Sequence, residues 1–134
     1  MNIQELNIGN WIFGDNPLNT ELCKVVGINP PYIDLVDKNN NPMYSIHIFD
    51  IIPISITEER LEKIGFKKVK PFYSNKTYEI EYVDCKIIVD IFNEYSQVKI
   101  LDNHNNGLIL SRINYIHQLQ NACNLVDKEL EIEL

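Results

Sequence analysis

Five lysines, Lys63, Lys67, Lys68, Lys70 and Lys76, fall in one acid-free stretch of the 134-residue chain. Phe66, Phe72, Tyr73 and Tyr78 are interleaved with them. Clustered cations attract phosphate or an acidic partner, and aromatic faces stack a base. Lys67, Lys68, Lys70, Phe72, Tyr73 and Lys76 therefore form a candidate surface for an anionic nucleotide-like ligand or a short single strand. The same letters also describe a solvated lysine loop whose aromatics belong to the core. A second polar group stands near the end, where His117 and Gln120 are three residues apart beside Gln118 and Asn121. On a helix this spacing brings His117 and Gln120 together. They offer a hydrogen-bonding ligand site, or they tie the helix to backbone groups, because buried polar groups need partners.

The other reactive side chains converge less. His104 sits among Asp102, Asn103, Asn105 and Asn106, and an approach by Asp84 or Asp90 would give an oxygen-and-imidazole metal site. An asparagine-rich turn explains the same residues without a metal. His47 is followed by Asp50, but no nucleophile, base and orienting third group share a recognisable spacing. Phosphate loops, the Gly-x-Gly-x-x-Gly fingerprint and His-Glu-x-x-His are absent from the sequence. Cys23, Cys85 and Cys123 are odd in number, far apart and set among apolar neighbours, as small buried hydrophobes are. These features predict a protein without cofactor or metal that is not an enzyme.

Charge and length narrow the partners. The net charge is −7, and the lysine stretch takes five of the 12 cations, leaving 7 against 19 acids. An extended nucleic-acid surface is not expected of such a chain, since phosphate binding depends on clustered cations. No run approaches the ~20 apolar residues that cross a bilayer, and the first residues lack the basic flank and apolar stretch of a secretion signal. The expectation is a cytoplasmic protein with no membrane association. With 45% apolar residues, the chain can build a real core.

The elements that would position these residues follow from a change of hydrophobic rhythm. Leu6 to Phe13, Cys23 to Ile28, Tyr32 to Val36 and Tyr44 to Phe49 read as short strands separated by turn clusters, with Ile51 to Ile54 as a short edge segment. Ile56 to Phe66 reads as a helix capped by Thr57, charged favourably by Glu58 and Glu59, and stopped by Gly65. Thr77 to Val83, Cys85 to Phe92, Gln97 to Leu101 and Gly107 to Leu110 read as an antiparallel meander, with Asn106-Gly107 supplying positive φ. A last helix runs from about Ile113 to about Val126, laid across the meander, and the alternating tail 129–134 suits a final edge strand. The predicted class is α+β. A small SH3-like β-barrel or curled sheet spans 1–55. A linking helix, the meander and the packing C-terminal helix span 56–134, as a separate module or in one shared core.

Three patches carry a resemblance: Leu6-Asn7-Ile8-Gly9-Asn10-Trp11-Ile12, the joint Ile52-Pro53-Ile54-Ser55-Ile56-Thr57-Glu58-Glu59 with Lys63-Ile64-Gly65-Phe66, and Tyr115-Ile116-His117-Gln118-Leu119-Gln120-Asn121. In this order they resemble short uncharacterised proteins of Bacteroidetes bacteria and of their phages and mobile elements. The resemblance implies an intracellular accessory protein and carries over no catalytic residue. Residues 67–110 lie outside it. The leading expectation is a non-enzymatic protein that binds a host protein, with inhibition of a host-defence or nucleic-acid enzyme by charge mimicry as its concrete form. The alternative is a homo-oligomer that sequesters an anionic nucleotide-like small molecule, two chains completing each pocket.

Overall fold

The structure, a computed structural model, describes residues 6–14, 21–43, 45–70 and 76–130. The described residues form an α+β fold with two antiparallel sheets and two α-helices. The chain groups into two units, the first made of residues 1–55 and 115–121, the second of 56–114 and 122–134.

The first sheet has the order β1 (Trp11–Gly14), β2 (Glu21–Asn29), β3 (Tyr32–Asp37) and β4 (Ile46–His47). Strand β3 alternates exposed and buried residues, with Ile33 and Leu35 facing in and Tyr32 and Asp34 facing out. The inward positions join Leu6, Ile12, Cys23, Val25, Ile46, Ile48 and Ile51 in one apolar cluster. Beyond β4 the chain takes a single 3-10 turn, Ile48–Asp50, and returns to the free edge of β1. There Phe13 and Ile52 exchange both backbone bonds, at 2.9 and 3.1 Å, so the sheet curls. A register shift between Val25 and Gly27 adds a bulge to β2, which increases local twist.

The sequence placed a full strand over residues 44–49, whereas the described ladder keeps only Ile46 and His47. The His47 ring explains the difference. Its Nδ1 accepts the Phe49 N–H at 3.2 Å, which caps the 3-10 turn and draws the following residues out of the ladder.

In the second unit, helix α1 (Glu58–Ile64) starts where Thr57 Oγ1 accepts the Arg60 N–H. It stops at Gly65, whose φ is +117°. The Phe66 N–H reaches back to the Leu61 carbonyl and the Gly65 N–H to that of Glu62, the paired bonds of a Schellman stop. A Cβ at position 65 would meet only the Ile80 Cδ1, at 3.7 Å, so the demand is conformational and not one of space. Gly65→Ala is expected to cost about 1 kcal/mol, read from urea unfolding followed by circular dichroism.

The second sheet runs β5 (Lys67–Val69), β6 (Lys76–Glu81), β7 (Cys85–Ile91), β8 (Ser96–Asp102) and β9 (Gly107–Leu110), all antiparallel and in sequence order. Cys85, Ile87 and Val89 face the core from β7, opposite Val98 and Ile100 of β8. The lysines expected in a loop thus begin an edge strand, with Lys67 opposite Glu79 and Lys68 opposite Tyr78. Positive φ falls at Asn105 (60°) and not at the Asn106-Gly107 step. The reason is Asp102, whose carboxylate accepts the N–H groups of both His104 and Asn106 and so centres the reversal one residue earlier.

Helix α2 (Ile116–Asn124) is shorter than the sequence suggested. Ser55 and Tyr115 form a β-bridge just ahead of it, and the Ile116 N–H bonds the Ile54 carbonyl at 2.7 Å. These bonds group Tyr115–Asn121 with the first unit, whereas the sequence assigned the whole helix to the meander. Among the described residues, no helix is long and apolar enough to cross a membrane. Glu129 and Leu130 are in no strand, and the rest of the alternating tail lies outside the described residues.

Candidate functional site

The lysine segment is organised by Glu58. Adjacent strand residues point to opposite faces, so Lys67 and Lys68 do not form one patch. Lys68 and Lys76 share a face with Tyr78 and meet Glu58, at 3.8 and 2.5 Å. The buried Tyr78 donates its hydroxyl to the same carboxylate at 2.7 Å. Lys76, and after it the Tyr78 hydroxyl, hold Glu58 below the usual carboxylate range. Burial, and then Glu58, push the Tyr78 phenol well above its ordinary value. The Tyr78 ring is core, and Lys70 is exposed just beyond β5. Phe72 and Tyr73 lie outside the described residues.

His117 and Gln120 are both buried on α2, in the first unit, while the lysines belong to the second. Gln120 Oε1 accepts the Trp11 N–H at 2.8 Å, and its Nε2 donates to the Gly9 carbonyl at 3.4 Å. One residue on, Asn121 Oδ1 accepts from Nδ2 of the buried Asn10 at 2.8 Å. The His117 ring stacks on Tyr115, with centroids 5.8 Å apart and planes 10° from parallel. Gln120 thus ties the helix to the backbone at the start of β1.

All three cysteines are buried thiols. Cys85 lines a cleft of about 310 Å³ with Ile100, Leu108 and Val126, and Asp84 and Asp102 also line it. Asp84 accepts from Lys128 at 2.8 Å, and this bond holds it below, and Lys128 above, the ordinary range. Burial raises the Cys85 thiol and pushes that of Cys123 up to about 12. At pH 8 about one Cys123 in ten thousand is thiolate. Native protein is accordingly expected to leave Cys23 and Cys123 unreacted with a thiol reagent at pH 8 over the time in which denatured protein titrates all three. Because a raised pKa favours the neutral thiol, the stabilising effect of Cys123 is complete below about pH 8.5 and fades as pH climbs toward 12.

The sequence did not single out the most exposed aromatic group among the described residues, which lies on the outer face of the first unit. Tyr32 on β3 and His47 on β4 are cross-strand partners, with ring centroids 5.6 Å apart, edge to face. His47 in turn stacks on Phe49, at 5.0 Å and 30°. Phe49 is 84% exposed and Tyr32 50%. The sequence signal was slight. In the alternation of residues 44–49, a phenylalanine falls in phase with Ser45 and His47, on the side that should face water.

Two acids neighbour this group along the chain. Asp34 faces outward two residues along β3 from Tyr32, and Asp50 follows Phe49 directly. The Asp34 carboxylate is held by one hydrogen bond and lies over a glycine. The Ser45 hydroxyl donates to Oδ1, and Oδ2 lies over Gly27, where an added Cβ would stand only 2.8 Å from it. Among the described residues, no lysine or arginine forms an ion pair with Asp34 or Asp50. Compared with protein-family models, with curated proteins and with solved structures, the chain gives no match.

Proposed function

We propose that this is a non-enzymatic interaction protein of phage or mobile-element origin, built on an SH3-like module, that docks a host protein through the outer face of its first unit. Inhibition of a host-defence or nucleic-acid enzyme is the concrete form of that activity. The exposed Tyr32–His47–Phe49 stack supports the reading, because large aromatics that hide little of their surface in the monomer supply most of the energy of a docked interface. The setting gives the partner's sign. The first unit carries Lys24 and Lys38 against six acids in its sequence, Glu5, Asp15, Glu21, Asp34, Asp37 and Asp50, which favours a basic surface such as a nucleic-acid-binding cleft.

The test is affinity capture from lysate of a Bacteroidetes host with wild-type protein and with Phe49→Ala, repeated at rising salt. The expected result is a partner retained by wild-type protein, lost with Phe49→Ala and released as salt rises. A partner retained equally by Phe49→Ala places the docking surface elsewhere, and retention indifferent to salt removes the charge mimicry.

A further inference from the structure

We infer that the same face seats a cationic side chain of the partner, a guanidinium or an alkylammonium group, between the aromatic stack and the Asp34 carboxylate. The inference rests on the docking reading above and adds what the partner must present. Three observations carry it.

The first is the composition of the face. Aromatic rings attract a cation placed over them, within about 6 Å of the centroid, through the negative charge of the ring face. Tyr32 and Phe49 flank His47 and leave ring surface open to solvent. The second is that Asp34 is already oriented. Successive outward positions on a strand are about 7 Å apart, within the span of one arginine head and stem. Ser45 holds the Asp34 carboxylate in that place before any ligand arrives, and Gly27, having no Cβ, leaves room for it there, so less ordering is needed on binding. The third is the neighbourhood. Asp50 lies beside Phe49, and neither acid is neutralised by a lysine or arginine among the described residues.

Aromatic faces also stack nucleic-acid bases, and charge separates the two ligands. A single strand would bring its phosphates against Asp34 and Asp50, and the first unit has only Lys24 and Lys38 to receive them, whereas a lysine or arginine side chain satisfies rings and carboxylate at once.

The experiment is a chemical-shift titration of the full-length protein with three pentapeptides, glycine at four positions and arginine, lysine or norleucine at the centre, and with decathymidylate. The arginine or lysine peptide is expected to shift the amides of residues 32–34 and 45–49 saturably, with norleucine weaker by about tenfold. Phe49→Ala and Asp34→Asn should each weaken the cationic peptide by about 3- to 30-fold. Both side chains are exposed, and an unchanged amide fingerprint away from the face confirms folding. Equal binding of the norleucine peptide, no shift with either cationic peptide, or a stronger shift of the same amides by decathymidylate would overturn the inference. A Phe49-dependent partner captured from lysate alongside silent peptides sinks the cation and leaves the docking face standing. Peptide binding without any Phe49-dependent partner sinks the docking reading.

Discussion

Ile87→Ala is expected to lower stability by about 3 kcal/mol. Ile87 is fully buried in β7, the central strand of the five-stranded sheet, with Ile80 of β6 and Ile100 of β8 as its cross-strand partners. Alanine removes three carbons from a position that neighbours on both sides already fill. The loss is therefore the transfer energy of those carbons plus the cavity they leave. Ile87→Val should cost only about 1 kcal/mol. Ile88 supplies the internal control, because it faces the other side of the sheet and is only partly buried. Urea unfolding of the three variants checks the register. Equal losses for Ile87→Ala and Ile88→Ala would mean that β7 is placed one residue out of step.

The second large effect is expected at Asp90, a buried acid on the face opposite Ile87. Its Oδ1 accepts the Thr77 hydroxyl at 2.7 Å across the β6–β7 rung, and its Oδ2 meets Lys99 of β8 at 3.2 Å. One carboxylate thus links three neighbouring strands. Asp90→Ala takes the acceptor from a buried hydroxyl and from a partly exposed ammonium, at about 2–3 kcal/mol. Asp90→Asn keeps an oxygen for Thr77 and loses the charge, so about half of that is expected. Adding Thr77→Val to Asp90→Ala should recover about 1 kcal/mol, since the hydroxyl left behind is part of the cost. If the double variant is no more stable than Asp90→Ala, the Thr77 bond contributes little.

Much of the fold was legible in the sequence because local chemistry and tertiary need agree there. Thr57 and Gly65 bound α1 as their types require, since an oxygen acceptor and a left-handed stop act within one turn. The run from Cys85 to Phe92 read as a central strand, and β9 falls on the residues proposed for it. Disagreement came where a distant or unexpected partner decides. Asp102 shifted the β8–β9 reversal because a side chain, and not a favourable dipeptide, satisfied the turn. The candidate site was hardest to read. Tyr32, His47 and Phe49 come from two strands and a 3-10 turn, and only pairing in space makes them one surface. The lysine cluster stood out as letters, but Glu58, next to the cap of a helix, gathers two of its cations.

The bond between Trp11 and Gln120 joins residues 109 apart in the chain. During synthesis at about 5–20 residues per second, that gap is roughly 5–20 seconds of elongation. All five strands of the second sheet are translated before Tyr115–Asn121, so the nascent chain holds an unfinished first unit for the whole interval. The ribosome must deliver residues 115–121 before Trp11 of β1 receives this hydrogen-bond acceptor.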